Sequence, residues 1–123
     1  YQVDVLTCAA PNLRRKPSNS MNPHAGKTAA KIRNSDLYDL LVKRITRIFQ
    51  VAIANGTEIL VLGAFGCGAF CNPPMIVARA FRNVQEKYSG YFDTIEYAVF
   101  CKKNETENYD AFCREFPKTR FKS

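Results

Sequence analysis

The chain has 123 residues and carries 18 Lys and Arg against 11 Asp and Glu, a net charge of +7. That length builds one domain rather than two, and a hydrophobic share of 46% with 24% charged residues excludes a disordered or fibrous chain. No apolar run reaches the roughly 18 residues a membrane helix requires, and no charged-then-apolar leader opens the chain.

The cysteines Cys8, Cys67, Cys71, Cys101 and Cys113 are odd in number, and three of them sit in apolar runs. That pattern fits reduced, cytoplasmic use rather than a disulfide framework. The basic balance favours anionic partners such as nucleotides or nucleic acid. Six Lys and Arg lie between Arg14 and Arg33, and three more, Lys118, Arg120 and Lys122, lie in the tail. Neither group alternates with aromatics as a single-strand binding surface does, so a solvated face accounts for them and nucleic acid is not the favoured partner.

In chain order, Val3 to Ala10 is an apolar run ending at Pro11-Asn12, which predicts a buried parallel strand and a turn. The chain opens almost directly on this strand, which suggests a fragment truncated on its N-terminal side. Leu13 to Asn34 is rich in Pro, Asn, Ser and basic residues and reads as a long loop. Ser35 is a candidate cap for a helix to about Ala54, with Leu37, Leu40, Leu41, Ile45, Ile48, Phe49 and Ala52 at helical spacing. Asn55-Gly56 stops it. Arg44 falls inside that apolar stripe, so its cation must either snorkel to the helix edge or meet a carboxylate elsewhere.

Glu58 to Gly63 is a second buried strand, followed by a glycine-rich turn to Asn72. Pro73-Pro74 opens a helix with Asn72 as the expected cap. Val77, Ala80, Phe81, Val84 and Tyr88 line one face of it, and Gly90 ends it. Thr94 to Cys101 is a third strand. Tyr109, Phe112, Cys113 and Phe116 share a stripe on a last helix. Alternating strands and helices predict an α/β fold, a three-layer α/β/α arrangement with a mostly parallel sheet, filling residues 1–123 as one unit.

In such sheets ligands bind beyond the carboxyl ends of the strands. The informative turn there is Gly63-Ala64-Phe65-Gly66-Cys67-Gly68-Ala69-Phe70-Cys71-Asn72-Pro73-Pro74. Gly66 and Gly68 permit positive φ and close approach. Successive N–H groups make a concave anion nest, and the helix that follows adds favourable potential for a phosphate. Phe65 and Phe70 offer flat faces to a ribose or base. The alternative is a tight turn whose glycines serve packing alone. The turn is neither a Walker loop, since no Gly-Lys-Ser/Thr follows, nor a dinucleotide fingerprint.

Cys67 lies between two glycines near a helix start, where thiolates are stabilised, but the single histidine, His24, stands in the long loop, so no base is at hand for a nucleophile. Cys67 and Cys71 fall short of a four-ligand metal site. No Asp or Glu stands in Ala9–Lys16 or Gly63–Pro74, so neither ligand-facing turn holds a general acid or base. Neither a catalytic residue, a metal nor a cofactor is expected of this chain.

At VDVLTCAAPNLR, LVKRITRIFQVAIANG, EILVLGAFGCGAFCNPPMIVARAF and FDTIEYAVFC the sequence resembles the C-terminal half of microbial-type poly(ADP-ribose) glycohydrolase domains, members of the macrodomain superfamily. GAFGCGAFCNPP is the specific part. The resemblance implies that Gly66 to Phe70 wrap the diphosphate and distal ribose of ADP-ribose, that Phe70 packs on that ribose, that Asn72 closes the loop, and that Asn12 stands at the neighbouring strand end. With Gly63, Ala64, Phe65, Cys67, Gly68 and Ala69 these form the candidate ligand-binding set.

The family's paired glutamates, which follow a glycine-rich stretch in its N-terminal half, have no counterpart here. The resemblance therefore implies hydrolysis of ADP-ribose linkages by a complete domain, with an N-terminal half or a second copy covering the open sheet. A non-catalytic ADP-ribose or nucleotide reader and a basic nucleic-acid module are the other readings.

Overall fold

The computed structural model describes residues 2–117; Lys118, Arg120 and Lys122 lie outside them. Helix α1 spans Asn34–Ala54, strand β1 Ile59–Leu62, helix α2 Pro74–Tyr88, strand β2 Thr94–Tyr97 and helix α3 Glu107–Glu115. A short 3₁₀ turn, Ser89–Tyr91, links α2 to β2.

β1 and β2 pair in parallel, Ile59 opposite Thr94 and Leu62 opposite Tyr97, joined by a crossover through α2 as the strand–helix–strand order requires. Pleating divides the side chains. Leu60, Leu62, Ile95 and Tyr97 belong to the core side, whereas Ile59 and Val61 are 61% and 58% exposed. α1 and α3 both pack on α2. One core joins Leu37, Leu41, Ile45 and Phe49 of α1 to Val77, Phe81 and Val84 of α2, Leu62 of β1 and Phe112 of α3. The Phe49 ring meets Phe92 edge-on at 5.8 Å, an arrangement aromatic quadrupoles favour. Tyr97 stacks on Phe116 at 4.3 Å and donates its hydroxyl to Gln85 Oε1 at 2.7 Å, which satisfies the polar end of a mostly buried ring.

The chain is thus α/β with a parallel sheet, as its pattern predicts. Among the described residues the sheet has two strands rather than three. Gln2–Ala10 makes no ladder among the described residues; Val3 and Val5 are 80% and 84% exposed. An apolar run becomes a strand only when a neighbour offers backbone partners, and β1 pairs on one edge alone. A groove runs between the two, lined by Val3, Val5 and Leu6 on one wall, Ile59 and Val61 on the other, and Ala52 of α1.

Four smaller expectations are corrected. Arg33, not Ser35, precedes α1 as its cap position and pairs with Asp36 at 2.9 Å; that pair is exposed and contributes well under about 1 kcal/mol. The third strand stops at Tyr97 instead of Cys101. α2 ends at Tyr88, before Gly90. Tyr109 is exposed, leaving Ala111 and Phe112 as the buried pair of α3. The stop at Asn55-Gly56 is as expected, with Gly56 at φ +69 and its N–H donating to Ile53 O.

Candidate functional site

The glycine-rich turn leaves β1 and enters α2, so it stands at the carboxyl edge of the parallel pair, beside the positive end of a helix dipole. Its backbone folds on itself. Cys67 N–H donates to Ala64 O at 3.0 Å, Cys71 N–H to Gly68 O at 3.0 Å, and Asn72 N–H to Gly66 O at 2.9 Å. The N–H groups of Gly66, Gly68, Ala69 and Phe70 find no acceptor among the described residues. Gly68 and Ala69 are exposed and Gly66 and Phe70 half-buried, so these four donors within five residues stand open to a ligand or to water.

Asn72 closes the turn in a way its position before Pro-Pro does not suggest. It does not cap α2, whose cap position is Pro73 without any side-chain bond. It is 2% exposed. Its Nδ2 donates to Pro11 O at 2.7 Å and to Gly66 O at 2.9 Å. One amide therefore clasps the end of the N-terminal segment to the turn. Asn72 Oδ1 and Asn12 Nδ2 are buried without a partner among the described residues, while Asn12 Oδ1 accepts from Arg14 N–H at 3.2 Å.

The two central glycines differ. Gly66 has φ +72, and a Cβ there would stand 2.5 Å from Asn72 Nδ2 and 2.6 Å from the Ala10 Cβ. Only glycine fits. Gly68 has ordinary φ and nothing within 4 Å of a built Cβ, so the fold leaves that position free. Cys71 adopts φ +57, a left-handed conformation that costs a non-glycine residue about 1 kcal/mol or more.

Sequence reasoning misses Arg14 as a contributor, and misses the partner of Arg44, because both contacts are remote in the chain. Arg14 Nε donates to Ala69 O at 2.8 Å, and its guanidinium carbon lies 5.5 Å from the Phe70 ring centre. Arg44, half-buried on α1, reaches the exposed edge and donates there from Nη1 to Ala9 O at 3.0 Å; it meets no carboxylate among the described residues. With Leu13 N–H donating to Phe70 O at 2.9 Å, these contacts dock Ala9–Arg14 onto the turn. Gly63, Ala64, Phe65, Gly66, Cys67, Gly68, Ala69, Phe70 and Asn72 are one continuous turn, and Asn12 is brought beside it.

Burial pushes the Cys67 thiol up to about 12 from an ordinary 9.0, against the lowering expected near a helix start. At pH 8 its thiolate fraction is lower than an ordinary thiol's by about two to three orders of magnitude. Cys71, which is exposed, is expected to react with iodoacetamide first, and the desolvated Cys67 to lag well behind it; peptide mapping after timed quenching reads both, and equal rates would refute the assignment. The folded thiol keeps its proton where the unfolded one loses it. Its contribution to stability is intact below pH 9.0 and falls as the pH rises toward about 12.

No protein-family model matches the chain, and no curated protein sequence matches it. Among solved structures it is similar to the poly(ADP-ribose) glycohydrolase (PARG) of Deinococcus radiodurans in complex with ADP-ribose, at 36% identity over 66% of this chain and 33% of that one, with a TM-score of 0.62. A second crystal form of that protein with ADP-ribose aligns over 81% of this chain and 47% of the other at 27% identity and a TM-score of 0.64. The PARG of Thermomonospora curvata aligns at 30% identity over 67% and 31%, with a TM-score of 0.63. The chain spans between 31% and 47% of the length of the relatives in these three structures.

Proposed function

We propose that this chain, which is PARG-like over the part it spans, is the phosphate-holding portion of an ADP-ribose-binding domain. The observation that carries the reading is the set of unused N–H groups at Gly66, Gly68, Ala69 and Phe70, grouped at the mouth of α2. A diphosphate accepts from several backbone donors at once, and the helix dipole favours its charge. The Phe70 ring supplies a face for the adjoining ribose, in keeping with the ADP-ribose bound by the Deinococcus relative.

Hydrolysis of ADP-ribose linkages is the activity proposed for a complete domain, not for these residues alone. Cleaving a glycosidic bond needs a carboxyl group to protonate the leaving oxygen or activate water, and neither ligand-facing turn contains one. Titrating ADP-ribose into the chain in a calorimeter is expected to give saturable binding, while the same protein releases no ADP-ribose from polymer. Absence of binding at millimolar ligand refutes the reading. Polynucleotide binding that falls steeply with salt and ignores ADP-ribose would favour the basic-module alternative instead.

The partner in this reading is the remainder of such a domain or a second copy. The open edge of β1, with Ile59 and Val61 bare beside the unpaired Gln2–Ala10, is a surface that pairs readily with a further strand. Light scattering across a dilution series reads self-pairing as a mass that grows with concentration.

A further inference from the structure

We infer that Arg14 is a positioning residue of the turn: it aims the Phe70 N–H and fixes the Phe70 ring without itself taking the phosphate. The inference rests on the phosphate reading above and follows from the geometry of one peptide unit. The C=O of Ala69 and the N–H of Phe70 belong to the same planar trans unit and point in opposite directions. Arg14 Nε takes that C=O at 2.8 Å. The N–H of Phe70, which has no acceptor among the described residues, is therefore turned to the side away from Arg14 Nε.

The next unit along is held in the same manner, because Leu13 N–H takes Phe70 O at 2.9 Å. Leu13–Arg14 thus occupies consecutive carbonyls of the turn; the N–H of the second unit, that of Cys71, donates to Gly68 O, so of these two units the first, at Phe70, is the one that keeps a free donor. The same guanidinium lies 5.5 Å from the centre of the Phe70 ring, within the range of a cation–π contact. That contact covers one approach to the ring and limits how it turns.

Arg14 itself is anchored. Its backbone N–H donates to Asn12 Oδ1, and Pro11 just before it is clasped by Asn72. It forms no ion pair with a carboxylate among the described residues, so the carbonyl and the ring are the partners that hold it. A planar guanidinium can serve both at once: an in-plane donor for the carbonyl and a flat face for the ring. An ammonium has no such plane.

This distinction makes the role testable against the obvious competitor, a direct charge–phosphate contact. Arg14→Ala and Arg14→Lys are compared with the unaltered chain by calorimetry with ADP-ribose at several salt concentrations. Urea unfolding of the helical signal, carried mainly by α1 and α2, checks the fold. A positioning role predicts that both variants lose about tenfold in affinity, as the loss of one ring contact and one fixed donor implies. It also predicts a salt dependence like that of the unaltered chain and an unchanged urea midpoint.

Rescue by Lys with a preserved salt slope, together with a shallower slope in the Ala variant, assigns Arg14 to the phosphate directly and overturns the inference. Unchanged affinity in both variants overturns it as well, while leaving the ADP-ribose reading intact. If the unaltered chain itself binds no ADP-ribose, it is the phosphate reading that falls, and the inference falls with it.

Discussion

Gly66→Val should destabilise the chain by about 3–5 kcal/mol, the sum of left-handed strain and overpacking against fixed neighbours. The backbone stands at φ +72, and any Cβ collides with the buried Asn72 amide and with Ala10. Neither neighbour yields freely: Asn72 is held by two hydrogen bonds, and Ala10 precedes the clasped Pro11. Gly68→Val should leave stability within about 0.5–1 kcal/mol, since the position has open space and ordinary φ. Yet it should weaken ADP-ribose binding at least about tenfold, because a branched side chain beside the free donors of Gly68 and Ala69 blocks close approach of a phosphate. Urea unfolding and calorimetry on the two variants separate the roles. A Gly68→Val protein that binds as well as the parent would mean the turn's glycines serve packing alone.

Asn72→Ala should cost about 1–3 kcal/mol and abolish binding. The substitution strips the side-chain donor from Pro11 O and Gly66 O. Gly66 O keeps the backbone N–H of residue 72, but Pro11 O loses its partner, and a buried acceptor left unpaired costs about 1–3 kcal/mol. Asn72→Asp is more diagnostic because its shape is conserved. At neutral pH it places an unpaired carboxylate against two carbonyls, which raises its pKa above the ordinary value of about 4. Protonation restores one donor, so the variant's stability relative to the parent is greatest below about pH 4 and is lost as the pH rises through the raised folded value. A variant whose stability gap does not widen with pH would show that the Asn72 pocket is wetter than its 2% exposure implies.

The helices and both paired strands are legible in the sequence because their causes are local. Leu37, Leu41, Ile45 and Phe49 repeat at helical spacing, and Asn55-Gly56 ends the pattern where the chain turns. The run Val3–Ala10 has strand composition, but pairing depends on a neighbouring edge, and no pattern within the run encodes that neighbour. Asn72 is the sharper lesson. Standing before Pro73-Pro74 it has the look of a helix cap, yet its partners lie six and 61 positions away. Gly66 and Gly68 look alike in the sequence. What separates them is the left-handed backbone of Gly66 and the approach of Asn72 and Ala10, which the residues flanking either glycine do not encode. The role of Arg14 and the partner of Arg44 escape notice for the same reason, since each acts on a backbone carbonyl far from it in the chain.

The clasp from Asn72 to Pro11 joins residues 61 positions apart, and that separation bears on how the site assembles. α1 and α2 build most of the core without help from Gln2–Arg14, whose first residues are exposed. Local opening that releases this segment therefore costs less than global unfolding. While the segment is released, Arg14 leaves the Ala69 carbonyl and Gly66 loses part of its cradle, so the chain is folded but incompetent to bind. The measured Kd is then the intrinsic value divided by the docked fraction. Hydrogen exchange within the segment and ligand affinity should change together in any variant that acts on the clasp.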